Sequence, residues 1–254
     1  MRKNTGNALT NNKNIHICAL CGSDVNCFLP YAISEKAIAL GERYHIIGSD
    51  VRNFSCPKCY STDRERHLFF YFNALNIWDS INDQANILHI APERLLSALI
   101  LDRKPANYIM GDLFPENSPI KGVMKVDITK TLFNDNSFDI IIANHILEHV
   151  PDDVSAMREI YRILKKDGIA ILQTPYSPKL DETYEDDSIV SDIDREEHFG
   201  QNDHVRIYSE RDLFNKLTAV GFILDIHKSS EFFTKADARK YGFNHEEDLI
   251  LCLK

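Results

Sequence analysis

The sequence predicts an α/β protein: a doubly wound, mostly parallel sheet preceded by a small cysteine-rich module. Three observations predict it. Five of the six cysteines (Cys18, Cys21, Cys27, Cys56 and Cys59) are crowded at the front, and only Cys252 lies elsewhere. The charge changes sign along the chain: residues 1–72 carry 9 Lys and Arg against 6 Asp and Glu, whereas residues 73–254 carry 20 against 32. From about residue 85, short apolar runs alternate with helical stripes, the pattern of a sheet covered by helices on both faces. With 254 residues the chain can hold one large domain and an appendage. The expected parts are a polar tail over 1–14, a metal-binding ribbon over 15–61, a linking helix over 62–84 and a main domain over 85–254.

Composition excludes several classes. Apolar residues make up 44% and charged residues 26%, ordinary values for a soluble globular protein. No run approaches the roughly 20 apolar residues of a membrane span. The Asn-rich opening lacks the apolar stretch of a secretion signal, so a cytoplasmic, reducing setting is expected. A net charge of -9 argues against a surface that grips nucleic acid. The front basic residues are interleaved with acids, a weak patch for RNA.

Cys18-x-x-Cys21 and Cys56-x-x-Cys59 are two knuckles, each able to aim two thiolates at one ion; together they complete a tetrahedron around zinc. Disulfides or unrelated buried thiols are the other readings, and a reducing compartment disfavours the former. Four cysteines fill the ion's shell, so the site is expected to be structural. The 34-residue gap is long for this motif, and a helix over 33–40 is expected within it. Cys27 reads as a spare buried thiol and Cys252 as part of a core strand. Thr62 and Glu65 have the spacing of a capping box, opening a helix with Leu68, Phe69, Phe72 and Leu75 on one face. Its first turn carries Arg64, Arg66 and His67, either a solvated, ion-paired turn or a cationic patch for an anionic substrate group.

In the main domain, strands are expected over 86–91, 106–112, 123–127, 138–143 and 169–173. A helix with Leu95, Leu96, Leu99 and Ile100 follows the first. Another starts at Asp152 and Asp153, buries Val154, Met157, Ile160 and Leu164, and ends through Lys165 and Lys166 at Gly168. Ser209 caps a third, which Gly221 ends, and strands over 223–226 and 248–253 close the chain. Ligands of such sheets bind at the carboxyl ends of the strands. The polar residues there are Ala91-Pro92-Glu93, Asp112, Asp127-Ile128 and Asn144-His145. A carboxylate such as Asp112 or Asp127 can accept ribose hydroxyls, or can cap a local turn.

Residues 126–129, 132–153 (LFNDNSFDIIIANHILEHVPDD) and 156–172 (AMREIYRILKKDGIAIL) resemble the central block of class I S-adenosylmethionine-dependent methyltransferases, which have a Rossmann-like fold. The resemblance spans about residues 85–254. The front zinc ribbon, together with 198–208 (HFGQNDHVRIY), is similar to a bacterial subgroup associated with surface-glycan or small-molecule biosynthesis. The resemblance implies S-adenosylmethionine as cofactor, its ribose held by Asp112 beside Leu113, its adenine by Asp127 and Ile128, and Asn144 near the reacting methyl. The family's first loop has an acid and several glycines. Here it reads Leu88 to Glu93 without glycine, and His89 stands where the acid is expected. Glu93, beside Ala91 and Pro92, becomes the candidate carboxylate for the cofactor's amino group.

Methyl transfer to a hydroxyl needs a base or a metal to take its proton. On a helix, His145, Glu148 and His149 would share one face. They read as an architectural cap, as a general base (His149 or His145), or as a divalent metal site. The last is supported by a similar Glu-x-x-Glu-His segment that holds magnesium in small-RNA and ubiquinone-pathway O-methyltransferases. His204, oriented by Asp203, is a further candidate base. Arg64, Arg66, Tyr176, Arg206 and Tyr208 are candidates for an acceptor pocket. Residues 181–197 hold 9 acids and one Arg, a solvated loop or a substrate lid. The expected reaction is methylation of a hydroxyl on a sugar or other small metabolite. An RNA methyltransferase and a non-catalytic cofactor-sensing or zinc-dependent interaction protein are the alternatives.

Overall fold

The computed structural model describes residues 16–254, so the expected tail over 1–14 lies outside the described residues. Strands β1 (His16–Ile17) and β2 (Asp24–Val25) pair antiparallel around the first knuckle. Helix α1 (Glu35–Tyr44) fills the gap between the knuckles, and the Ser34 hydroxyl caps it by accepting from the Ala37 amide. Helix α2 (Asp63–Ala74) opens on the expected capping box, in which Thr62 and Glu65 satisfy each other's backbone amides. The short α3 (Ile77–Ser80) leads to β3 (Asn86–Ile90), α4 (Arg94–Asp102), β4 (Asn107–Asp112), β5 (Met124–Lys125) and β6 (Phe138–Ala143). There follow α5 (Asp153–Ile163), β7 (Leu164–Ile171), β8 (Tyr176–Ser177), β9 (Tyr184–Glu185), α6 (Asp192–Phe199) and β10 (Arg206–Ser209). Helix α7 (Glu210–Val220), β11 (Ile223–His227), α8 (Ser229–Phe232), α9 (Lys235–Tyr241) and β12 (Leu249–Leu253) complete the chain.

The main sheet has the order β11-β12-β7-β6-β3-β4-β5. Strands β5, β4, β3, β6 and β7 run parallel, while β12 is antiparallel to both β7 and β11. The expected doubly wound, mostly parallel sheet is thus borne out. The chain winds outward from β3 through β4 to β5, then crosses to begin the other half at β6. The switch point therefore lies between the ends of β3 and β6, where a ligand crevice opens.

Both faces of the sheet are dry. Leu88, Ile141, Met157, Ile160 and Leu213 pack on the side of α5 and α7. Leu68, Phe72, Trp78, Ile87, Leu96 and Ile140 pack on the side of α2 and α4. That two-sided burial explains why β6 reads as a nearly continuous apolar run. Among the described residues no helix is long and apolar enough to cross a membrane.

Three expectations need correction. Helix α5 stops at Ile163, and the chain passes directly into β7 at Leu164. Lys165 then pairs with Asp139 of β6 at 2.7 Å, an ion pair that belongs to the strand. Gly168 is no helix stop: a Cβ there would lie 2.9 Å from the Lys165 carbonyl oxygen, inside an irregular stretch of β7. Second, the acidic stretch 181–197 contains β9 and most of α6. Strand β9 joins β10 and β8 in a small sheet, and α6 packs on α1 of the front module. Third, Cys27 is exposed, whereas Cys252 is buried in β12 as expected.

The front module is seated on the C-terminal part. The His16 ring bonds the Arg239 carbonyl at 2.7 Å, and Phe28 packs against Gly242. A Cβ at Gly242 would fall 2.2 Å from the Phe28 ring, and its φ of +68° also suits glycine.

Candidate functional site

The two knuckles repeat one backbone pattern. The Cys18 carbonyl accepts from Gly22 N and the Cys56 carbonyl from Tyr60 N, both at 2.8 Å. Gly22 and Tyr60 sit at equivalent places with positive φ, and only the first is glycine. The turns bring Cys18 Sγ to 3.6 Å from Cys59 Sγ, and Cys21 Sγ to 4.0 Å from Cys56 Sγ. Zinc–sulfur bonds of about 2.3 Å place tetrahedral sulfurs about 3.8 Å apart, so the four thiols fit one zinc ion. All six cysteines are free of disulfides.

At the switch point Glu93 ties three elements together. Its Oε2 meets His89 Nε2 of β3 at 2.8 Å, and its Oε1 accepts from Asn144 Nδ2 at 2.7 Å. His89 Nδ1 in turn meets the Tyr108 hydroxyl of β4 at 2.8 Å. Burial opposes ionisation of Glu93, but these bonds prevail and hold its carboxyl below the usual range. Ala91 turns the chain with a φ of +45°, and Pro92 is buried behind it. This network stands where a glycine-rich loop was absent from the sequence.

Asp112 ends β4, and its Oδ1 accepts from Phe114 N at 2.8 Å. Asp127 Oδ1 accepts from the Thr129 amide and hydroxyl at 2.9 and 2.6 Å. Each carboxylate thus caps a turn with one oxygen and leaves Oδ2 for a ligand. Leu113 and Phe114 are exposed beside Asp112, whereas Ile128 is buried in the core. Gly111 brings the two segments together, because a Cβ there would fall 2.6 Å from Val126. A glycine next to last in a predicted strand was the available signal for that close approach.

After β6 the chain does not form the α-helix that would align His145, Glu148 and His149. His145 has a φ of +55°, and a single tight turn spans Leu147–His149. His145 is directed inward, with Nδ1 at 3.4 Å from Glu148 and Nε2 at 3.6 Å from Glu247. The third member of the cluster is His204: its ring crosses that of His149 at 86°, with centroids 4.6 Å apart. One ligand atom from each of Glu148, His149 and His204 lies within 4.8 Å of the others. Asp203 orients His149 at 3.3 Å, not its neighbour His204. Burial pushes the His204 imidazole down to about 4, so it is neutral at pH 7. Burial opposes a charge on Glu148, but His145, His149 and His204 hold its carboxyl at about 2.

Among the described residues the Glu148 carboxylate oxygens, His204 Nε2, the His145 nitrogens and Glu247 Oε2 make no well-formed hydrogen bond, and His145 approaches Glu148 and Glu247 only at 3.4 and 3.6 Å. A buried polar atom without a partner costs about 1–3 kcal/mol, so such a concentration suits a site that a ligand would complete. One carboxylate and two imidazoles fit a divalent ion, and the nitrogen donors suit a transition ion better than magnesium. The side chains that converge as a candidate metal set are Glu148, His149 and His204, in place of the His145, Glu148 and His149 expected from sequence.

His145, Glu148 and His204 also line a cavity of about 440 Å³. Its other walls come from α1, the segment 45–52, Arg64 and the turn Phe199–Gln201. Arg66 is elsewhere: fully buried, it donates to the carbonyls of Gly242, Ser61, Asn53 and Phe54 at 2.6–3.0 Å. It braces the second knuckle rather than touching an acceptor. Arg206 reaches the cavity but commits its donors to Leu147, Val150 and Pro151 carbonyls and to Glu185. It fixes the turn that carries Glu148 and His149. Tyr176 and Tyr208 are buried beside the core, and the Tyr208 hydroxyl donates to Asp153 at 2.5 Å. Ser49 and Glu247, which sequence reasoning passed over, belong to no periodic pattern or motif.

Comparison with known proteins bears on this geometry. Residues 96–172 match a family model described as a methyltransferase domain. No curated protein matches the chain in sequence. The fold is similar to that of an S-adenosylmethionine-dependent methyltransferase from Mesorhizobium loti, with a TM-score of 0.50 and 14% identity over 73% of this chain and 98% of that one. Another such enzyme, from Archaeoglobus fulgidus, gives 0.47 and 14% over 74% and 94%. The expectation of a methyltransferase is borne out at the level of domain and fold. The matched stretch holds Asp112, Asp127, Asn144, Glu148 and His149. The cysteine module, Arg64 and His204 lie outside it.

Proposed function

We propose that the protein transfers a methyl group from S-adenosylmethionine to a hydroxyl of a small molecule, a sugar or similar metabolite, seated in the 440 Å³ cavity. The observation that carries this reading is the Glu148–His149–His204 cluster, of which Glu148 and His204 line that cavity. The cavity volume lies within the usual range for small ligands, about 300–1,000 Å³, and favours such an acceptor over RNA. In this reading a zinc ribbon over 15–61 and a helix over 62–84 precede the methyltransferase domain over 85–254. The ribbon is structural and supplies one wall of the acceptor pocket, in keeping with a role in glycan or small-molecule biosynthesis.

Asp112, beside Leu113, would take the ribose hydroxyls with its free oxygen; Asp127 and Ile128 would flank the adenine. Glu93, held anionic by His89 and Asn144 behind Ala91 and Pro92, would take the cofactor's amino group. The sulfonium is already a good leaving group, so the protein must align the acceptor and accept its proton. A divalent ion on Glu148, His149 and His204 would supply a Lewis acid that favours the ionised hydroxyl. The chain's own contribution is to fix His149 through Asp203, keep His204 neutral and anchor the turn through Arg206.

The test is transfer of labelled methyl from S-adenosylmethionine to a panel of sugars and small hydroxyl compounds, with and without added manganese, zinc or magnesium. Label should appear in an acceptor hydroxyl and depend on the ion. Failure of S-adenosylhomocysteine to bind at millimolar concentration, by calorimetry, would sink the reading.

A further inference from the structure

We infer that the acceptor carries an anionic oxygen group, a carboxylate or a phosphate, and that Arg64 seats it in the cavity wall; this rests on the proposed use of that cavity for the acceptor. Three arginines line the space, and two are committed within the chain. Arg52 pairs with Glu42 at 2.6 Å, and Arg206 is bound to three carbonyls and Glu185. Arg64 differs. Its Nε donates to the Ser49 hydroxyl at 2.6 Å, and its guanidinium lies 5.7 Å from the centre of the Phe54 ring. Ser49 and Phe54 thus hold one edge and one face of the fork, and its two terminal nitrogens have no hydrogen-bond partner among the described residues.

No acid among the described residues forms an ion pair with it. Asp63, next in the chain, is fully buried and accepts from the Asp50 amide; burial raises its carboxyl to about 7. Glu42 is taken by Arg52, and Glu148 is shared among histidines. A guanidinium with two free terminal donors is the geometry that a carboxylate or phosphate engages in bidentate fashion. With its anion on Arg64, an acceptor can present a hydroxyl to Glu148 and His204 in the wall of the same cavity.

The test uses the full zinc-loaded chain with no other divalent ion added, titrated with inorganic phosphate and with acetate. Binding is followed by NMR for the wild type, Arg64→Gln, Arg64→Lys and Arg52→Gln. At least one anion should bind the wild type with millimolar affinity. Arg64→Gln should weaken that binding about tenfold or more, the loss expected for charge-assisted hydrogen bonds. Arg64→Lys should retain part of it, and Arg52→Gln should stay within twofold. Preference for phosphate identifies a phosphorylated acceptor, and preference for acetate a sugar acid or similar carboxylate. Absence of anion binding in the wild type, or equal binding in Arg64→Gln, overturns the inference. S-adenosylhomocysteine titrated into each variant keeps the two readings apart. Cofactor binding without anion binding defeats this inference alone, whereas loss of cofactor binding in the wild type defeats the reading on which it rests.

Discussion

The molecule gathers ligand-type side chains twice, by opposite means. The cysteine cluster is built from two copies of one local turn, each supplying two sulfurs from cysteines three positions apart. The Glu148–His149–His204 cluster joins a turn after β6 to a residue 55 positions on, held in place by Asp203 and Arg206. The first is closed, with four thiols filling a tetrahedron. The second is open to a cavity and leaves buried polar atoms without partners. A closed shell serves structure, and an open one leaves a position for chemistry.

The largest effect should come from emptying the closed cluster. The chain should carry one zinc there, and Cys56→Ser should lose it. Binding of structural zinc contributes on the order of 10 kcal/mol in small zinc modules, so the variant should melt in two steps, with the front part unfolding first. Elemental analysis and thermal melts followed by circular dichroism would measure both. A wild type without zinc would break the comparison at its root.

The open cluster should behave in the reverse way. Glu148→Gln should lower turnover by about 100-fold or more while S-adenosylhomocysteine affinity stays within twofold. Added manganese or zinc at about 100 times its dissociation constant should stabilise the wild type by about 2.7 kcal/mol and the variant not at all. Equal thermal shifts in both proteins would remove the second ion from the comparison. Asp112→Ala probes neither cluster and should weaken S-adenosylhomocysteine about tenfold or more, the loss expected when a carboxylate no longer accepts ribose hydroxyls. Its zinc content should be unchanged, which separates cofactor binding from both metal clusters.

The same contrast governs how much could be read from sequence. The knuckles, the caps at Thr62 and Ser209, and the doubly apolar β6 are local patterns, and each is found where its spacing puts it. Asp112, Asp127 and Asn144 lie at or just past the ends of β4, β5 and β6, where the alternating pattern puts them. What was lost depends on tertiary closure. A left-handed backbone at His145, a non-glycine residue, precludes the helix on which His145, Glu148 and His149 would share one face. Only the return of the chain through α6 delivers His204. The knuckle's demand for carbonyl partners claims Arg66, and nothing in the helical pattern of α2 distinguishes it from Arg64.

Two carboxylates 11 positions apart, one in the turn after β6 and one on α5, sharpen the point. Glu148 and Glu159 are both held at about 2, for different reasons. Glu159 is satisfied: Arg162 donates to both of its oxygens, and the Thr131 amide and hydroxyl donate to Oε2. Its folded value lies below the usual one, so its contribution to stability is present above about pH 4.5 and fades as the pH falls toward 2. The pair is partly solvated, so Glu159→Gln should cost only about 1 kcal/mol at pH 7, and the difference from wild type should shrink in acid. Turnover should stay within twofold. Chemical denaturation at pH 7 and pH 3 measures the first, and the methyl-transfer assay the second. A Glu159→Gln variant that lost turnover as Glu148→Gln does would mean that missing hydrogen-bond partners do not single out the functional carboxylate.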